Sequence, residues 1–481
     1  MNARIIKLFA FITLLFAVLI GFTSYWSVFD AEDLKAERVN KRPLFEAQQI
    51  KRGRILAADG TVIARSRPTG SGASLQYVRR YPDGALFGHP IGYSFAEQGN
   101  SQFEQSHNGE LIGEDSEFSS ILDEIRGREQ TGHDVFTNIE PAAQQTALDL
   151  LAGRPGAVIA IEPGTGEVKT LVSQPPYDPN QVPTALPELN QDPTAPLLDR
   201  ATQGQYPPGS TFKLVTATAA LDSGKIDSDT LIDAPATIDV QGQPLANAGG
   251  SSYGEIDVTT ALTSSVNTFF AQLGQRVGEA TLYEYMERFG FNAKPEIDLP
   301  KDQLSVSGVF SGGDLVKPDD GVDVARIAIG QERLLATPIQ MAQVGAAIAN
   351  GGDLMKPRIW QKVRDVDGRT VDQMEPERQS EVMKQETADQ LTEAMKAVVN
   401  EGTGTAAALS GIDVAGKTGT AEVPGREECQ GLPNQAWFVG FAPADDPRIA
   451  VAATVECTEG QGGTVAAPIA AGVMQTLLGG S

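Results

Sequence analysis

The sequence predicts a membrane-tethered chain with a small β-rich pedestal and a larger α/β (α+β) domain. Three observations carry this: an uncharged, mostly apolar run over residues 8–29, a polar, turn-rich stretch over 31–150, and two hairpin patterns beyond it with helical windows between them. A chain of 481 residues is too long for one compact core. The expected divisions are 1–30 (cytoplasmic tip and anchor), 31–150 (N-terminal pedestal, of dimerisation type) and 151–481.

The apolar run has 22 residues, enough for a helix to cross a hydrocarbon core of about 30 Å. Arg4 and Lys7 precede it, Tyr25 and Trp26 sit where an interfacial belt belongs, and Asp30, Glu32 and Asp33 follow. Basic residues stay inside, so the predicted topology is single-pass, N-terminus in and the bulk of the chain outside the cytoplasmic membrane. No small-x-small pattern ends the run, which favours an anchor over a cleaved signal peptide.

In the pedestal, Thr61-Val62-Ile63-Ala64 is one of several short apolar alternations broken by glycine. Residues 137–151 have helical spacing, with Pro141 near the start, and mark entry to the next domain. There, residues 156–161 and 167–172 flank Glu162-Pro163-Gly164-Thr165-Gly166 as a hairpin. A second hairpin joins 436–441 to 449–455 across Pro443 to Pro447. Helical windows cover 211–222, 258–274, 337–350 and 386–400, and a Pro-rich, extended crossing covers 174–196.

Acidic residues exceed basic ones by 62 − 38 = 24, which excludes nucleic acid as a partner on electrostatic grounds. Two cysteines, Cys429 and Cys457, are too few for a Cys-based zinc site or iron–sulfur cluster, and no motif calls for another metal or an organic cofactor. The histidines are His89, His107 and His133, leaving the C-terminal two thirds without imidazole. Any nucleophilic chemistry there needs another base.

Ser210-Thr211-Phe212-Lys213 follows Tyr206-Pro207-Pro208-Gly209, which places Ser210 at a helix start and Lys213 one turn later on the same face. A serine hydroxyl needs a base within hydrogen-bond reach, and lysine is the available one if desolvation and a second cation, Lys417, lower its pKa. A helix N-terminus also directs backbone N–H groups at a developing oxyanion. Ser265-Val266-Asn267 lies in an apolar helix or its preceding loop; Ser265 suits proton relay and Asn267 a substrate amide. Lys417-Thr418-Gly419-Thr420 lies within a strand over 414–423, where Gly419 admits a neighbouring backbone such as a substrate strand. Each motif alone is more often an ordinary cap, core polar group or edge strand.

Together, in the order SxxK, SxN, KTG, they form the set that marks penicillin-binding proteins and class A β-lactamases. The match extends to Arg52-Gly53-Arg54-Ile55, Arg200-Ala201, Gly330-Gln331, Thr337-Pro338, Gly402-Thr403-Gly404 and Trp437-Phe438-Val439-Gly440-Phe441. The chain resembles class B penicillin-binding proteins, particularly the short actinobacterial penicillin-binding protein A type. The resemblance covers nearly the whole chain.

It implies a serine transpeptidase, β-lactamase-like domain whose mainly antiparallel five-stranded sheet is flanked by helices. It further implies that Ser210 attacks the D-Ala-D-Ala bond of a peptidoglycan stem peptide while Lys213 takes its proton. Ser265, Asn267 and Lys417 complete proton transfer and donor binding, and backbone N–H groups of Ser210 and Thr420 form the oxyanion hole. Thr418 and Thr420, with Gly419 between them, hold the donor carboxylate. β-Lactams acylate Ser210, and a SEDS-type glycosyltransferase is the expected partner. The chain departs from the family pattern at Glu332, often glycine, and in the segment 424–433. There Cys429 faces Cys457 as a candidate disulfide pair. The rival readings are a D,D-carboxypeptidase or β-lactamase, and a non-catalytic scaffold or activator of the polymerase.

Overall fold

The computed structural model describes residues 2–26, 49–114, 130–316, 321–422, 429 and 431–479. The N-terminal helix Asn2–Ser24 is exposed from Arg4 on, and is the one helix among the described residues long and apolar enough to cross a membrane. Residues 27–29 of the expected span, with Asp30, Glu32 and Asp33, lie outside the described residues.

The pedestal is built on a six-stranded sheet, in the order Thr370–Gln373, Trp360–Arg364, Asp134–Thr137, Ile55–Leu56, Val62–Thr69, Gln76–Arg80. Two of its strands therefore come from far down the chain, with Val363 opposite Val135. Beside the sheet, Glu104 is fully buried and accepts from Arg52 Nη2 at 2.8 Å, Arg79 Nε at 2.5 Å and the Tyr81 hydroxyl at 3.1 Å. Burial pushes its carboxyl up, yet Arg79 and Arg52 outweigh that and hold it below the usual carboxylate range.

The larger domain centres on five strands: β1 (Gly156–Ile161), β2 (Val168–Gln174), β3 (Ala415–Glu422), β4 (Asn434–Ala442) and β5 (Ile449–Thr458). Their order is β3-β4-β5-β1-β2, and every pairing is antiparallel. Unbroken apolar runs suit a sheet covered on both faces, because alternate side chains point opposite ways. Along β4, Trp437, Val439 and Phe441 enter one core, while Ala436, Phe438 and Ala442 enter the other.

Helices of this domain include α1 (Pro141–Leu151), α2 (Val182–Gln191), α3 (Lys213–Asp222), α4 (Val258–Thr263), α5 (Asn267–Val277), α6 (Pro338–Ala349), α7 (Gln385–Asn400) and α8 (Gly462–Gly479), all but α2 lending residues to these cores. α8 and α1 cover one face of the sheet, whereas α3 belongs to the core on the other. Residues 213–221 of α3 are all buried. Three expectations change. The span 174–196 is not extended throughout: Pro183 in the first turn of α2 costs no helical hydrogen bond, so the prolines admit a helix there. The helix expected over 137–151 begins at Pro141, Thr137 being the last residue of the strand Asp134–Thr137 and 138–140 a link between the two. The window 258–274 is two helices, broken at Ser265, whose φ is +55°.

Removing Glu104 leaves two guanidinium groups facing each other in a dry site. Glu104→Ala is expected to cost about 3 kcal/mol or more, measured by denaturant unfolding of the chain lacking its anchor. An effect below about 1 kcal/mol would mean that water reaches the cluster.

Candidate active site

The site begins where a 3-10 turn, Gly209–Phe212, runs directly into α3. Residues three apart eclipse in such a turn, so half-buried Ser210 and buried Lys213 share one side. The segment before Ser210 is pinned at successive residues. Tyr206 exchanges backbone hydrogen bonds with Ala336 at 3.0 and 2.8 Å. Trp437 Nε1 donates to the Pro207 carbonyl at 2.9 Å, and Gly209 N to the Gly330 carbonyl at 3.0 Å. Gly330 has φ +77°, and a Cβ there would lie 1.9 Å from the Gly209 oxygen, so only glycine admits this approach.

Lys213 and Lys417 both have 0% exposure. Lys213 Nζ donates to the Ser265 carbonyl at 2.7 Å, the Ser265 hydroxyl at 3.2 Å and Asn267 Oδ1 at 2.8 Å. Lys417 Nζ reaches the same hydroxyl at 2.9 Å and the Thr418 carbonyl at 3.1 Å. Burial, then the nearby Lys417 charge, drives Lys213 well below its usual pKa. Burial alone brings Lys417 down to about 7. The break between α4 and α5 makes the shared contact possible, because the left-handed Ser265 turns both its carbonyl and its hydroxyl toward the lysines. Asn267, the first residue of α5, also donates from Nδ2 to the Ala246 carbonyl at 3.1 Å.

β3 is an edge strand, and its alternation divides the KTG motif between two faces. Gly419 lies against the Gly209–Phe212 turn: a Cβ there would meet the Pro208 carbonyl at 2.8 Å and Thr211 N at 3.1 Å. The backbone that this glycine demonstrably admits is thus the chain's own, where the sequence suggested a substrate strand. Thr418 Oγ1 is 2.6 Å from Thr403 Oγ1, and Thr420 Oγ1 accepts from Gly462 N at 3.0 Å. Thr420 also borders the Gly209–Phe212 turn, its carbonyl 3.0 Å from where a Cβ on Gly209 would lie.

Lys213, Ser265, Asn267 and Lys417 are thus brought together, Ser210 lies three residues before Lys213 in the adjoining turn, and Thr418, Gly419 and Thr420 follow Lys417 along β3. Cys429 and Cys457 are bonded, with Cα atoms 4.8 Å apart. Glu332 is exposed, two residues beyond Gly330, with φ +66°. Sequence reasoning gave no role to Thr403, though Gly402-Thr403-Gly404 stood out as a motif, nor to Asn247, whose Oδ1 accepts from Thr268 N at 2.9 Å at the start of α5. An isolated asparagine in a turn-rich stretch carries no such signal.

Residues 156–475 match the penicillin-binding protein transpeptidase domain, and residues 52–135 match the penicillin-binding protein A dimerisation domain. The peptidoglycan D,D-transpeptidase PbpA of Mycolicibacterium smegmatis is 32% identical, over 98% of this chain and 97% of its own length. PbpA of Mycobacterium tuberculosis is 31% identical over 100% of both chains. The solved penicillin-binding protein A of M. tuberculosis, a ceftriaxone acyl-enzyme complex, superposes with a TM-score of 0.80 at 31% identity, covering 90% of this chain and 99% of its own. With the lysine pair assembled around one serine and the match running end to end, the chain belongs to the class B penicillin-binding protein transpeptidase family.

Proposed function

We infer that this protein is a peptidoglycan D,D-transpeptidase working through an acyl-enzyme on Ser210, and that β-lactams inhibit it by acylating the same hydroxyl. The observation that carries the reading is the sharing of the Ser265 hydroxyl by two buried lysines. Three acceptors surround Lys213 Nζ, which suits an ammonium. When the lysine is neutral it has only two hydrogens to give, and of those three acceptor groups only the Ser265 hydroxyl can reverse and donate.

In this reading Ser210 Oγ attacks the carbonyl of the penultimate D-alanine while neutral Lys213 takes the hydroxyl proton. Backbone N–H groups of Ser210 and Thr420 stabilise the oxyanion. The proton passes by way of Ser265, with Lys417 holding its oxygen, to the departing D-alanine amine, and the peptide bond breaks. Asn267 orients the donor amide, and Thr418 and Thr420 bind its carboxylate. The amine of a second stem peptide then attacks the ester, restoring the Ser210 hydroxyl and leaving a cross-link. Residues 1–30 serve as a single-pass anchor with the catalytic domain outside, 31–150 joined by the strands Trp360–Arg364 and Thr370–Gln373 as the pedestal, and the rest of 151–481 as the transpeptidase domain, working beside a SEDS-type glycosyltransferase.

Benzylpenicillin is expected to give one stable covalent adduct by intact mass, absent from Ser210→Ala. Rapid loss of that adduct would favour a hydrolase, and no adduct at all would leave the scaffold reading. Lys213→Ala is expected to slow acylation by about a thousandfold while the fold survives, since it removes the base. The pH dependence follows from the direction of the shifts. Acylation needs neutral Lys213, and burial with the nearby Lys417 charge drives its pKa well below the usual lysine range, so the rate should stay high far below the pH at which an ordinary lysine loses its proton. Stopped-flow acylation between pH 5.5 and 9 checks this; a rate still climbing steeply up to pH 9, as for an unshifted lysine, would remove Lys213 as the base.

A further inference from the structure

Pairing along β4 and β5 slips near their far end: Ala436 faces Val455 and Asn434 faces Thr458, so Glu456 and Cys457 together oppose Gln435 alone. This is a β-bulge, and bulges re-aim side chains at the cost of a local backbone distortion. Cys457 takes that distortion, with φ +50°, and is bonded to Cys429 on the β3–β4 connection. Glu456 remains on the face of the nucleophile helix. It is 6% exposed, and its Oε1 accepts from Tyr206 Oη at 2.5 Å and Arg200 Nε at 2.8 Å.

Both partners lie just upstream of Ser210. Tyr206 opens the Tyr-Pro-Pro-Gly segment, and its side chain is the one anchor of that segment reaching to the β5 bulge. Arg200 is fixed in turn by the Ala195 and Thr194 carbonyls at 3.1 and 2.9 Å, and its backbone N donates to Ser173 Oγ at 2.9 Å on β2. A carboxylate between a phenol and a guanidinium in a dry site makes charge-assisted bonds of fixed direction. The Tyr206 ring therefore cannot shift without breaking one.

We propose that Glu456 is a positioning residue for the nucleophile, holding the segment 206–209 through Tyr206 and Arg200, and that the Cys429–Cys457 bond keeps the bulge aiming Glu456 there. The inference rests on the reading of Ser210 as nucleophile. Its partners Tyr206 and Arg200 both precede Ser210 in the chain, so its effect is expected on the alignment of Ser210. Opening the disulfide frees Cys457 to leave the left-handed region, and the bulge then relaxes. A dithiol such as dithiothreitol does this by supplying two electrons and two protons, closing to its own cyclic disulfide as the two cysteine thiols form.

The experiment compares benzylpenicillin acylation of the wild-type and Glu456→Ala chains, each oxidised and reduced, with Glu456→Gln, Tyr206→Phe and the Cys429→Ser/Cys457→Ser pair, alongside thermal unfolding of each. Glu456→Gln keeps an acceptor for Tyr206 but loses the charge. The first-order acylation step is expected to slow about tenfold in Tyr206→Phe and less in Glu456→Gln, with noncovalent affinity and pH profile unchanged. Reduced wild type and the double serine variant should match each other, and reduction should add nothing to the defect of a Glu456→Ala chain. Rates within about twofold of wild type in all variants, or losses that follow the unfolded fraction, would overturn the proposal and leave a purely structural ion pair. Losses that add fully between reduction and Glu456→Ala would separate the disulfide from Glu456 and overturn the second half. If the oxidised wild type forms no adduct on Ser210, it is the nucleophile reading that fails.

Discussion

Two lysine side chains without solvent exposure converge on one serine hydroxyl, and the rest of the larger domain is arranged to tolerate that. Bringing Lys417 from an ordinary lysine pKa to about 7 corresponds to about 5 kcal/mol of unfavourable burial for the charged form. The fold must supply this from elsewhere. It does so with a helix, α3, buried along nearly all its length, and with a second helix pair interrupted at the residue whose oxygen atoms receive the lysine protons. A continuous helix through Ser265 would tie its carbonyl into the helical ladder and leave Lys213 with fewer acceptors.

The central sheet explains how such a site is held. Because both faces of the sheet are covered, its strands are fixed by packing on two sides, and the edge strand β3 inherits that rigidity through its register with β4. Lys417 then projects toward α3, and Gly419 lets the nucleophile turn close against the same strand. The alignment of Ser210 thus depends on backbone contacts at glycine positions as much as on side chains.

Much of this was legible in the sequence because the chemistry requires residue types at short spacings. Ser210 and Lys213 had to share a face whether the turn was 3-10 or α, and Lys417 was the cation that a histidine-free site demanded. The hairpins were legible from turn residues between apolar runs. The break at Ser265 was not, because a left-handed serine has no local marker and is stabilised by lysines 52 and 152 residues away. Helix α2 was hidden by prolines that look like breakers yet fall partly where a helix tolerates them. The meaning of Gly419 also changed, since close approach of backbone is visible in sequence but the identity of the approaching segment is not.

The hairpin formed by Trp360–Arg364 and Thr370–Gln373 has a consequence for biogenesis. A chain synthesised from its N-terminus presents the pedestal's strands Ile55–Leu56, Val62–Thr69, Gln76–Arg80 and Asp134–Thr137 long before the hairpin that pairs with Asp134–Thr137 has been translated. During that interval the sheet has an open edge, the kind of surface that recruits a foreign strand. The pedestal sheet, although begun first, is thereby complete only once residues of the larger half have been made.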